Sequence, residues 1–256
     1  MENKDFDDKR IAQGYKNRPF LHKQVMERFR KDVTDITFSN GLDIGCGAGL
    51  SSRALKQICR RVTGADISPN MVETARELYG NEPGYEFIVS NAEEIHAPHG
   101  KYDIATGAGV IQWVDREPFL QNLQKIMCRH GYVVIYDFSI SDQMEHNTAY
   151  TDWWHNAYLK GFPKPYRDET VWTGENVAPF GFSMLRQVQY EMRYTFDMDT
   201  FLDFMMIKSN VNAKIRENGA KEEKIRKWFR ETLSPVFNGE KQILLFTGYS
   251  WYLERV

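Results

Sequence analysis

Gly41-Leu42-Asp43-Ile44-Gly45-Cys46-Gly47-Ala48-Gly49-Leu50-Ser51-Ser52 reads as the end of a strand, a turn with glycine at alternate positions, and the start of a helix. Glycine has no Cβ, so such a turn lets the backbone pass close to a ligand. The helix expected over 48–59 would aim its free N–H groups at that ligand. This is the first turn of a nucleotide-binding α/β fold. The dinucleotide fingerprint G-x-G-x-x-G fails here, because its third glycine, counted from Gly45, falls on Leu50. The pattern is D-x-G-x-G-x-G. Its acid, Asp43, suits a ligand with a positive amino group better than one with a pyrophosphate.

Outward from this turn the chain alternates strand and helix. A second strand over 61–65 ends in Asp66, near the ~20-residue spacing of an acid that accepts from ribose hydroxyls. An N-cap role competes for Asp66, but Ser68 is the better cap for a helix starting at Pro69. A third strand over 85–89 leads into Ser90-Asn91-Ala92-Glu93, and a fourth over 102–106 into Gly107-Ala108-Gly109-Val110-Ile111-Gln112-Trp113. Two glycines at a strand's C-terminal end again suggest close approach, and ligands of open α/β sheets bind at that end. A helix over 117–129 and a buried strand, Tyr132-Val133-Val134-Ile135-Tyr136, complete the βα repeat, which implies a parallel sheet. The histidines His96, His99 and His130 lie scattered in loops and read as surface residues.

Residues 139–182 break that rhythm. The stretch is rich in aromatics, among them Trp153, Trp154, Tyr158 and Trp172, and has no clean period. A long irregular segment in a compact domain is usually functional, so it reads as a cap over a substrate pocket, with a packing insertion as the alternative. A strand over 183–196, helices over 201–215 and 221–237, and a last strand over 242–254 follow. Ahead of the first strand, residues 1–32 form a leader with a helix over 20–30, and its string I-A-Q-G-Y-K-N-R-P holds Tyr15 and Arg18.

The glycine turn, Asp66, Asn91 and the 107–113 loop, in this order, resemble the class I S-adenosylmethionine (SAM) dependent methyltransferases. The leader and the Ile111-Gln112-Trp113 tripeptide are similar to the small-molecule, trans-aconitate-type (methyltransferase type 11) group. The resemblance covers residues 11–137 well and the rest weakly. It implies a Rossmann-like, doubly wound seven-stranded sheet, mostly parallel with an antiparallel last strand, helices on both faces and an inserted cap. It also implies one domain over 1–256, with 1–32 as a lid and 139–182 as the cap. Residues implied at the cofactor are Tyr15, Arg18, Asp43, Gly45, Cys46, Gly47, Gly49, Asp66, Ile67, Met71, Asn91, Ala92, Glu93, Gly107, Gln112 and Trp113. Asn91 stands where the family carries an acid, and its amide oxygen can still accept from an adenine amino group.

The expected activity is methyl transfer from SAM to a small organic acceptor (a carboxylate, hydroxyl or amine), leaving S-adenosylhomocysteine (SAH). A SAM-binding protein without activity and an NAD(P)-dependent oxidoreductase are the alternatives. In-line transfer from a sulfonium can proceed largely by orientation, and a base is needed only where the acceptor arrives protonated. Tyr136, His155 and Tyr158 are the candidates for such a base. Trp153, Trp154 and Arg167 join them as candidate acceptor contacts, and Arg186 could also pair with an anionic acceptor. No metal is expected.

Composition sets the outer limits. The chain has 256 residues, 42% of them hydrophobic, enough for one large domain. A net charge of −2 argues against a general nucleic-acid or membrane-surface role. The polar opening lacks the look of a signal peptide, and no apolar run approaches the length of a membrane span. Cys46, Cys59 and Cys128 are scattered and read as free thiols, which suggests a cytoplasmic protein, monomeric or homodimeric.

Overall fold

The computed structural model describes residues 9–15, 17–164, 170–218 and 221–256. Seven strands form one sheet: β1 (Phe38–Ile44), β2 (Cys59–Asp66), β3 (Tyr85–Val89), β4 (Tyr102–Ala108), β5 (Met127–Met144), β6 (Phe182–Phe196) and β7 (Gln242–Arg255). Their order is β3-β2-β1-β4-β5-β7-β6. The first five are parallel, and β7 runs antiparallel to both its neighbours. The doubly wound sheet with one antiparallel strand is therefore the one expected from the sequence.

Helices cover both faces. On one lie α1 (Lys9–Tyr15), α2 (His22–Asp32) and α3 (Leu50–Leu55), and α4 (Pro69–Tyr79) packs near β2 and β3. On the other face α5 (Arg116–Ile126) buries Phe119, Leu120 and Leu123 against Ile104's neighbours Ala105, Val133 and Ile135. Local chemistry sets several boundaries. Ser68 caps α4 by accepting from the Met71 N–H at 3.3 Å, with Pro69 in the first turn. The helix after the glycine turn begins only at Leu50, because Gly49 sits in the left-handed region at φ 90°.

The region after β5 differs from expectation. No irregular cap begins at residue 139, because β5 runs on to Met144, paired with β7 as far as Leu244. The chain then turns helical through α6 (Thr148–Trp153), a π turn over Trp154–Tyr158, and α7 (Leu159–Gly161). After α8 (Gly174–Val177) and β6 come α9 (Met198–Met206), α10 (Ser209–Asn218) and α11 (Glu222–Phe237). The single helix expected over 201–215 is two, broken at Ile207 and Lys208. The helical elements α6, α9 and α11 pack on the sheet face that also holds α2, around Phe201, Phe229, Phe237 and Tyr252. The aromatic residues of the insertion are the core of this layer, which is why their spacing shows no surface-helix period.

Candidate active site

Asp43 ends the first strand fully buried. Its Oδ2 accepts from the Ser51 and Ser52 hydroxyls at 2.6 and 2.7 Å, and its Oδ1 from Thr106 at 2.8 Å. Both oxygens are thus engaged by the protein, and Asp43 braces β1, β4 and the start of α3. Burial raises its pKa to about 6 against the three hydroxyls, which pull it down.

The three glycines of the turn all have positive φ, at 65°, 51° and 90°. Only one of them spares its Cβ for an open approach. A Cβ on Gly45 would strike Val110 at 2.9 Å, and one on Gly49 would strike the Tyr79 ring at 2.8 Å, so these two serve tight packing. At Gly47 the nearest atoms are the Tyr15 ring at 3.7 Å and the Met71 sulfur at 4.0 Å. Gly107 resembles the first pair, with Val110 at 2.9 Å. Cys46 is a buried neutral thiol, its pKa pushed well up by burial.

Asp66, at the end of β2, accepts from the Gly47 N–H at 2.8 Å and from the Ser68 N–H at 2.9 Å. The acid therefore fixes the glycine turn relative to its own strand and is only partly buried. Next to it Ile67 is 50% exposed, and across the strand ends Val89 and Trp113 are 50% and 40% exposed. Asn91 is exposed at the end of β3, with Ala92 and Gln112 half-buried nearby in sequence and sheet order. Glu93 is spent differently from the expectation: it accepts from the Asp115 N–H at 2.8 Å and ties the β3 and β4 loops together. Met71 is buried with Ile11, Ala12 and Ala48 beneath the leader, its sulfur beside the open position at Gly47.

The leader crosses the turn. Tyr15 lies over Gly47, and the Arg18 guanidinium stacks on the Tyr15 ring at 3.9 Å. The Arg18 Nε is buried without a hydrogen-bond partner. Four residues on, His22 Nδ1 lies 2.8 Å from the Tyr136 hydroxyl, and the Phe138 ring packs edge-on to the imidazole at 4.9 Å. Burial and the Arg18 charge push the His22 pKa down to about 3, so the ring is neutral. Burial raises that of Tyr136 well above its ordinary value. Reading the sequence passed over His22. Its signal is the 15, 18, 22 spacing, which resembles one helical face until Pro19 interrupts it.

The cap candidates fall elsewhere. Trp153, Trp154 and Tyr158 are buried in the aromatic core of the helical layer. Trp153 stacks on Tyr158 at 5.5 Å and donates from Nε1 to Thr232 at 3.0 Å. Tyr158 donates to Asn210 at 3.1 Å. His155 pairs with Asp142 at 2.7 Å on the surface. Arg186 pairs with Asp32 at 3.4 Å. Arg167 lies outside the described residues. Among the described residues no helix is long and apolar enough to cross a membrane.

The strand order, glycine turn and strand-end acid together define the class I methyltransferase fold. Residues 42–135 match the family model described as Methyltransferase domain. The chain is 40% identical over 85 residues to malonyl-[acyl-carrier protein] O-methyltransferase 1 of Ilyobacter polytropus, covering 32% of this chain and 31% of that protein. It is 34% identical over 107 residues to 2-methyl-6-phytyl-1,4-hydroquinone methyltransferase of Synechocystis, covering 41% and 33%. It spans between about a third and a half of the length of the curated relatives it matches. A solved structure described as a type II methyltransferase from Anaeromyxobacter dehalogenans shares the fold over 91% of this chain and 95% of that one. Its TM-score is 0.69 and its identity 21%.

Proposed function

We propose that the chain is a SAM-dependent methyltransferase acting on a small organic acceptor. The observation that carries this reading is the buried, unpartnered Arg18 Nε, held against Tyr15 directly over Gly47. A buried guanidinium donor without a partner calls for an anion, and the carboxylate of a methionine tail is one. A nucleoside with such a tail also fits the remaining groups. Asp66, besides accepting from two backbone N–H groups, is a carboxylate of the kind that accepts from ribose hydroxyls. Asn91 offers an amide oxygen to an adenine amino group, and the exposed Ile67 and Trp113 offer apolar faces. SAM supplies a methyl group already activated on a sulfonium. The leader and glycine turn hold the tail, exclude water and leave the methyl to be met in line. The relatives are named for malonyl-[acyl-carrier protein] and for a hydroquinone, which supports an organic acceptor.

The test uses SAH and 5′-methylthioadenosine, which lacks the amino-acid tail, in calorimetry. Arg18→Gln should weaken SAH by ten- to a hundredfold, the worth of a hydrogen bond to a charged group. It should leave methylthioadenosine within about twofold. Equal losses for both ligands would remove Arg18 from the tail. Absence of SAH binding in the unmodified protein, together with stabilisation by NAD in a thermal melt, would replace the reading altogether.

A further inference from the structure

This inference rests on the cofactor reading above and concerns the acceptor. A ligand laid across Asn91, Asp66 and the glycine turn follows the ends of β3, β2 and β1. In the sheet order the next ends are those of β4 and β5, so the acceptor must approach over them. Tyr136 stands there. Asp43 pairs with Thr106, and Thr106 with Val134, so Tyr136, two residues on, faces the same side of the sheet as Asp43. His22 reaches this position from α2 and bonds to it. The imidazole is fixed on two sides, by the Tyr136 hydroxyl and the Phe138 ring, which leaves its second nitrogen, Nε2, for another partner.

We propose that His22, held by Tyr136, is the catalytic base for a neutral hydroxyl acceptor, an alcohol or a phenol. The Nδ1–H donates to the Tyr136 oxygen, which leaves the lone pair of Nε2 to face the acceptor. The acceptor oxygen forms its bond to the methyl carbon as the carbon–sulfur bond breaks, and that electron pair stays on sulfur. The hydroxyl proton passes to His22 Nε2 and then to solvent. A weak base is enough, because the proton becomes strongly acidic once the oxygen–carbon bond is forming. The other acceptor classes fit less well. A carboxylate arrives ionised and needs no base. An amine arrives as a cation, without the lone pair that the displacement needs.

The test is calorimetry with three ligands: SAH, and two nitrogen-for-sulfur analogues of SAH whose nitrogen carries a 2-hydroxyethyl or an ethyl arm. The unmodified protein should prefer the hydroxyethyl arm at least tenfold, since a site built around a hydroxyl rejects a ligand lacking it. His22→Ala should abolish that preference, and Tyr136→Phe should reduce it severalfold. SAH affinity should stay within about twofold in both, which also reports that the variants are folded. A preference kept in His22→Ala overturns the proposal, as does an equal arm preference in the unmodified protein. A parallel loss of SAH affinity would move the pair to the cofactor. Failure of the unmodified protein to bind SAH at all would overturn the cofactor reading instead.

Discussion

Replacing Asp66 by alanine tests the ribose assignment and the turn together, and the structure separates the two effects. In the protein alone the carboxylate accepts from the Gly47 and Ser68 N–H groups at 2.8 and 2.9 Å. Hydrogen bonds to an ionised group contribute about 1.5–3 kcal/mol each when buried. Asp66 is partly exposed, so water replaces much of that, and the expected loss of stability is about 1–2 kcal/mol. Its loosened hold on Gly47 weakens SAH as well, whatever the ribose does. A double-mutant cycle isolates the direct contact. SAH and its 2′-deoxy analogue are titrated by calorimetry into both proteins, with urea melts alongside. In the unmodified protein the missing hydroxyl should cost at least tenfold in affinity. In Asp66→Ala the two ligands should bind alike, both weakly. If the deoxy analogue loses the same factor in both proteins, Asp66 only braces the turn, and the ribose contact is refuted.

Gly47→Val should abolish SAH binding while the urea midpoint stays measurable, because it forces a branched residue to φ 51° beneath the Tyr15 ring; normal SAH affinity would show that the turn does not hold the ligand. Trp153→Ala should cost about 3–5 kcal/mol in urea melts, as expected for a tryptophan removed from a packed core, and leave the SAH affinity of the folded fraction unchanged; a variant of near-normal stability would return Trp153 to the list of acceptor contacts. Asp43, with its pKa raised from 3.8 to about 6, binds more protons folded than unfolded, so its contribution to stability is complete below about pH 4 and lost as the pH rises through 6. At about 1.4 kcal/mol per unit, the stability of the unmodified protein relative to Asp43→Asn should fall by about 3 kcal/mol between pH 4 and pH 7, and a flat difference would show a normally titrating carboxylate.

Most of the sheet was legible because its signals are local. The strands β1, β2 and β4 carry short apolar stretches that run into a glycine or an acid, and α4 announces itself by Ser68 and Pro69. The place of Asp66 at the end of β2 was legible for the same reason. The partners of Asp43 were not, since sequence shows an acid beside a glycine turn but not the three hydroxyls that converge on it, two from α3 and one from β4. The insertion was misread more deeply. Its aromatics are buried on several sides by elements far apart in sequence: Phe229 of α11, Phe201 of α9 and Tyr150 of α6 all meet there. Burial from many sides leaves no periodic polar face, and so the core of a helical layer looks from sequence like an irregular cap.

On the proposal for His22 and Tyr136, specificity for the acceptor arises outside the segment that the family model matches. That segment, 42–135, supplies the glycine turn, Asp66 and Asn91, and it stops one residue short of Tyr136. The leader lies wholly before it and touches both halves of the molecule. One side of α1 covers the turn through Tyr15, Ile11 and Ala12. Its other side meets the helical layer: Arg10 donates to Asn212 at 2.5 Å and pairs with Glu222 at 3.5 Å, and Gly14 packs so closely that a Cβ there would lie 2.5 Å from Ile207. A ligand that orders Tyr15 and Arg18 thereby also fixes the wall formed by α10 and the end of α9. Relatives that agree over the nucleotide-binding half can differ in acceptor for this reason. The groups proposed to meet the acceptor, His22 and Tyr136, are carried by the leader and by the middle of β5, where a change leaves the cofactor turn untouched.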